Sequence, residues 1–161
     1  MTHKNTFINK AKTELSKTTF ELFNSVNKNI TNKIDFKNIK ISSDFEKDYI
    51  RIELDSDSNG KLKFRIEFFK GLSDFFIDDG IEIFIQKKFP SSAKSKSYFK
   101  QFLTGSIRKD IYLSKEKITK TDYYLINNSS EKLIYGEINI IDIFRTKRSK
   151  KSILFAPWIT E

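Results

Sequence analysis

The chain is 161 residues long and carries 30 Lys and Arg against 21 Asp and Glu, a formal charge of +9 at pH 7. That length suits one domain with a core large enough to need no cross-links, so a single domain over 1–161 is expected. There is no Cys and only one His, which excludes disulfides, Cys nucleophiles, thiolate zinc sites and iron–sulfur clusters.

That one histidine, His3, stands near the end of the chain, where a frayed terminus cannot position an imidazole for a Ser-His-Asp triad. No Gly-rich phosphate loop of standard spacing is present. The first residues lack the apolar stretch of a secretory signal, and no run approaches the ~18 apolar residues of a membrane span. A cytoplasmic protein without a membrane association is the expectation. The abundance of Lys, Ile, Asn and Phe suggests an AT-rich coding sequence, as in some bacterial, phage and mobile-element genes.

In chain order, residues 6–31 read as one amphipathic helix. Ile8, Ala11, Leu15, Leu22, Val26 and Ile30 recur at spacings of three, four and seven, and Asn5 or Thr6 is placed to cap its start. Residues 34–42 alternate as a first strand. In 48–56, Ile50, Ile52 and Leu54 take one face; in 61–69, Leu62, Phe64, Ile66 and Phe68 do the same. A two-residue Asn59-Gly60 turn would put the two apolar sets on opposite faces. A three-residue loop, Ser58-Asn59-Gly60, sets Ile50 opposite Phe68, Ile52 opposite Ile66 and Leu54 opposite Phe64. It also opposes Arg51 to Glu67, Glu53 to Arg65 and Asp55 to Lys63, pairs of opposite charge.

A second hairpin is expected around Asp78-Asp79-Gly80, with Phe75 and Ile77 facing Ile81 and Ile83. Pro90 ends that strand. Ser91 or Ser92 caps a helix over 93–104, with Tyr98, Phe99, Phe102 and Leu103 as its apolar stripe and Gly105 as its stop. Strands follow near 107–113, 117–127 and 132–144, then a basic loop over 145–151 and an apolar end, in which Trp158 tethers the tail to the core. The expected fold is α+β: a meandering antiparallel sheet packed with a long N-terminal helix and a second helix near 93–104.

Three constellations bear on function. Asp55-Ser56-Asp57-Ser58-Asn59-Gly60 matches the first half of a calcium loop, but position 12 is Ile66 and the flanks are strands, so turn chemistry explains it better. Asp74, Glu82, Gln86 and Lys88 fall on one face of the second hairpin by alternation. The order Asp…Gln-x-Lys is similar to the metal-nuclease signature of restriction-endonuclease-like folds. That similarity implies carboxylates holding Mg²⁺ and a Lys assisting water, although Gln stands where a carboxylate is usual. The third constellation is charge asymmetry. Residues 44–82 hold eleven acids and six bases, residues 87–120 ten bases and two acids, and residues 145–151 five bases.

No catalytic residue, cofactor or metal is therefore expected. The leading expectation is a non-enzymatic binding protein, an inhibitor or immunity-type partner of a toxin or other effector, acting by charge and shape complementarity. An acidic partner or nucleic acid would meet Lys94, Lys96, Lys100, Arg108, Lys109, Arg145, Lys147, Arg148, Lys150 and Lys151. A basic partner would meet Asp55, Asp57, Asp78 and Asp79. The alternative is a nucleic-acid backbone binder using 87–120 and 145–151, and the third reading is a metal-dependent nuclease.

Overall fold

The computed structural model describes residues 2–30, 33–55, 60–78, 82–86, 92–128, 130–138 and 149–160. The fold is α+β, as the two periodicities require. Helices α1 (Thr2–Glu14) and α2 (Lys17–Ile30) precede strands β1 (Ile39–Asp44), β2 (Tyr49–Leu54), β3 (Lys63–Phe69), β4 (Leu72–Asp78) and β5 (Glu82–Gln86). Helix α3 (Ser92–Thr104) leads to β6 (Ser106–Ser114), β7 (Lys117–Asn127), β8 (Ser130–Ile138) and β9 (Ser149–Phe155). Among the described residues no helix is long and apolar enough to cross a membrane.

The strands form two sheets, β1-β2-β3-β4-β5 and β8-β7-β6-β9. Alternation identifies strands but not their partners. Here β6 takes β7 on one side and β9 on the other, so the meander is divided in two. The chain splits accordingly into two compact units, Met1–Asp57 with Leu62–Lys100 and Ser58–Lys61 with Gln101–Glu161.

In the first unit the β2–β3 register is the one that the apolar pattern demands: Ile50 lies opposite Phe68, Ile52 opposite Ile66 and Leu54 opposite Phe64. All six side chains are buried. Helix α2 covers them with Leu22, Phe23, Val26 and Ile30, and the Phe23 ring meets Phe68 edge-on at 6.1 Å. Each such side chain contributes roughly 1.5–3 kcal/mol of transfer free energy. The connecting loop 56–59, including Asp57, lies outside the described residues.

The expected single N-terminal helix is broken after Glu14, because Ser16 begins a new one. The Ser16 hydroxyl accepts from Thr19 N (3.3 Å) and donates to Asp48 (2.8 Å), while Ser16 N donates to Asp48 at 2.7 Å. Helix α1 starts at Thr2, so Asn5 and Thr6 lie inside it and not at its start. The first strand begins at Ile39, not 34, because Asp35 caps a 3-10 turn over Phe36–Asn38.

The β3–β4 connection is a two-residue turn, Lys70 (φ 47°) and Gly71 (φ 71°), both left-handed as a type I′ hairpin requires. The β4–β5 hairpin differs from expectation. Ile77 pairs with Ile83 and Asp78 with Glu82, so Asp78 ends a strand and the loop becomes 79–81, which includes Asp79 and lies outside the described residues.

In the second unit Ile107, Tyr123 and Leu125 point to the core, with Phe102, Leu103 and Trp158. Ile159 N donates to Leu103 O (2.9 Å) and Lys61 Nζ to Trp158 O (3.3 Å), which ties the tail down as expected. Residues 149–151 belong to β9 rather than to a basic loop.

Candidate functional site

The outward face of the second sheet, opposite Ile107 and Leu125, is organised by two aspartates. Asp110 on β6 and Asp122 on β7 are direct cross-strand partners, which sets their Cα atoms about 4.5–5.5 Å apart. Their relative exposures are 0% and 1% although they face away from the core. Their neighbours bury them. Arg108 Nε reaches Asp110 Oδ1 at 3.0 Å, and Ser152 Oγ donates to the same oxygen at 2.7 Å. Lys150 Nζ lies 2.8 Å from Asp110 Oδ2, and Lys120 Nζ 2.6 Å from Asp122 Oδ2.

The Tyr124 hydroxyl donates to Asp122 Oδ2 at 3.3 Å. Arg108 lies over the Tyr124 ring at 4.7 Å, and Lys120 over Tyr112 at 5.2 Å. Gly136, opposite Asp122 on β8, leaves the space that this carboxylate uses; a Cβ there would stand 2.8 Å from Asp122 Oδ1. Burial alone would raise the Asp110 carboxyl, but bonds from Lys150, Ser152 and Arg108 outweigh it and hold it below the usual carboxylate range. Burial and the Asp122 charge push the Tyr124 phenol up to about 12.

This network consumes cations that the sequence offers for phosphate. Arg108 makes a bidentate pair with Glu131 at 2.6 and 2.7 Å besides its bond to Asp110. Lys109, the next residue on the strand, points to the other face and lies over Tyr123 at 5.5 Å. Lys150 and Lys151 likewise alternate across β9. Lys94, Lys96 and Lys100 are exposed on α3. Lys96 and Lys100 share a face, while Lys94 lies roughly 200° round the helix from Lys96. Arg145, Lys147 and Arg148 lie outside the described residues.

The acidic pole is in the first unit. Asp55 is held by Lys63 (3.1 Å) and Lys40 (3.2 Å), whose bonds lower its carboxyl. Asp78 ends β4 opposite Lys63 and Glu82. The acidic feature that the sequence reading missed is a groove of about 820 Å³ lined by Asp44, Glu46, Lys47, Asp48, Tyr49, Glu67, Phe69 and Lys70. Tyr49 and Phe69 are cross-strand partners on its floor. Burial and the Glu67 charge push the Tyr49 phenol up to about 12, and the Tyr49 hydroxyl bonds Glu67.

Three of the groove's four acids already have partners, Glu67 having Arg65 at 3.1 Å as well as Tyr49. Lys47 bonds Asp44 at 2.8 Å and lowers its carboxyl. Asp48 accepts from Ser16 and Thr19. Burial alone would raise the Asp48 carboxyl, and these donors bring it below the usual range.

The nuclease-like set is dispersed. Asp74 lies opposite Glu67, and Glu82 opposite Asp78. The two are thus four residues apart along the ladder, about 13 Å. A bulge sets Gln86 against Phe75, and Lys88 lies outside the described residues. Of the calcium-like loop, Asp55 is engaged by lysines, and Ile66 at the twelfth position is fully buried. Among the described residues no group of three or more His, Asp or Glu is placed to hold a metal.

The sequence did carry one signal for the buried pair: Asp110 is one of only two acids within 87–120. A lone acid at mid-strand in a basic run is best explained by internal pairing. The groove had no comparable signal, since its lining comes from β1, β2, β3 and two turns. No family model, curated protein or solved structure matches this chain.

Proposed function

We propose that the chain is a non-enzymatic protein-binding protein of the inhibitor or immunity type, which docks a basic partner on the acidic groove of its first unit. The observation that carries this reading is the groove: four carboxylates against two lysines around an aromatic floor. Interfaces favour such aromatic centres with a charged rim. At the other pole Arg108, Lys120 and Lys150 are each matched by a carboxylate, whereas the groove's four acids outnumber its two lysines, so an acidic partner is supported less well there. We place the action in the cytoplasm, since a chain without cysteine needs no oxidising compartment to fold.

The test is capture from the native host with and without nuclease, using the natural chain and a Glu46→Lys/Glu67→Lys variant. The reading expects a retained protein that nuclease does not release and that the reversed groove loses. Retention of nucleic acid alone, falling steeply with salt and lost on reversing Lys96 and Lys100, would instead establish the backbone-binding alternative that the exposed lysines of α3 leave open.

A further inference from the structure

We infer that the groove beside the 3-10 turn Phe45–Lys47 takes the guanidinium end of an arginine from a basic segment of the partner. This rests on the protein-binding reading above and names the chemistry that the same site recognises. Three properties of the cavity converge on that ligand. The floor pairs two rings, Tyr49 and Phe69, across neighbouring strands, and an aromatic surface attracts a cation by its quadrupole.

The second property is direction. Glu67 lines the groove and is held in place by the Tyr49 hydroxyl and by Arg65 Nε at 3.1 Å, so the orientation of its carboxylate is set before a ligand arrives. Glu46 adds a carboxylate on the exposed turn. The third is size. About 820 Å³ exceeds what an inorganic ion needs and suits a few peptide residues. A guanidinium fits better than an ammonium, because its plane stacks on a ring while its edge forks to a carboxylate.

The experiment titrates the full chain with blocked tetra-arginine, tetra-lysine and tetra-glutamate peptides by calorimetry, with the ring signals of Tyr49 and Phe69 followed by NMR. Tetra-arginine should bind and move both rings, tetra-lysine should bind several-fold more weakly, and tetra-glutamate should not bind. Glu46→Gln/Glu67→Gln should weaken tetra-arginine about tenfold, the sum of two modest ion pairs. Tyr49→Leu should weaken it about threefold, with circular dichroism and Trp158 emission unchanged as the folding check.

No binding, equal binding to all variants, or still rings on binding would overturn the inference. A captured partner that the Glu46→Lys/Glu67→Lys variant loses, but that tetra-arginine does not displace, overturns this inference and leaves the proposed function standing. A partner held equally by the reversed groove overturns both.

Discussion

Removing the Asp110 carboxylate tests whether the outward face of the second sheet is held as described. Breaking a buried ion pair typically costs ~3–5 kcal/mol, because a charge is left behind without a partner. Here the remaining groups have other outlets. Arg108 keeps its bidentate bonds to Glu131, and the Lys150 side chain is 45% exposed and can turn to water. Arg108 Nε and the Ser152 hydroxyl lose the acceptor they share, Asp110 Oδ1.

Asp110→Ala should therefore cost about 2–3 kcal/mol. At ~2–4 °C per kcal/mol for a chain of this size, the melting temperature should fall by roughly 4–12 °C. Asp122→Ala should cost less, about 1 kcal/mol, since its contacts are one lysine and one long tyrosine bond. The two carboxylates face each other, so each single variant also relieves a repulsion that the double variant relieves only once. The double variant should accordingly lose more than the sum of the singles, by about 1 kcal/mol. Urea unfolding at pH 7, followed by Trp158 emission and circular dichroism, measures all three. A double variant less destabilised than the sum would mean that the aspartates attract each other through a shared proton or ion, and the account of this face would be wrong.

Other consequences can be checked in the same way. Asp48, Asp55 and Asp110 have carboxyls lowered from 3.8 in the folded chain, so their stabilisation is present above that value and is lost as pH falls through the lower folded values. Melting temperature should be level from pH 5 to 7 and drop below about pH 4, with a shallower drop in Asp110→Asn; an unchanged acid limb in that variant would count against the network. Burial raises the phenols of Tyr49, Tyr98 and Tyr124 to about 12, so their contribution holds below pH 10 and is lost as pH rises towards 12. Absorbance at 295 nm should show late-titrating tyrosines, one fewer of them in Tyr98→Phe; complete ionisation by pH 10.5 in the folded chain would refute this. Thr19 Oγ1 accepts from Gly71 N (2.9 Å) and donates to Asp48 (2.8 Å). Thr19→Val should cost about 1–3 kcal/mol in urea unfolding, and a neutral result would show that this junction is dispensable.

What the sequence made legible follows from which forces are local. The β2–β3 register could be derived because a one-residue slip would expose Ile50, Ile52 and Leu54 together. The same alternation holds in β6, where Arg108, Asp110 and Tyr112 share one face. It could not show that side chains from β6 and β9 close over Asp110, because that depends on which strands are neighbours. The helix break was hidden for a similar reason. Residues 15 and 19 are both buried on a shared stripe, and only the distant Asp48 makes Ser16 a helix start. Turns at Lys70-Gly71 and at Lys115-Glu116, where both lysines and Glu116 adopt positive φ, lack the Asn-Gly signature and were passed over.

The two sheets use one device twice. On β3 and β4, Arg65 lies 4.1 Å over the Phe76 ring and pairs with Glu67, which faces Asp74 across the ladder. On β6 and β7, Arg108 lies over the Tyr124 ring and pairs with Asp110, which faces Asp122. Opposed carboxylates would repel if left alone. Each pair is instead flanked by an arginine whose guanidinium bonds one carboxylate through Nε and rests on an aromatic ring, so charged side chains help to close the face. The cations that make the formal charge +9 are thus partly structural, and counting them overstates the positive surface offered to a phosphate backbone. A partner of this chain is better sought where acids and bases are out of balance locally. In the first unit the excess is negative, around Tyr49 and Phe69.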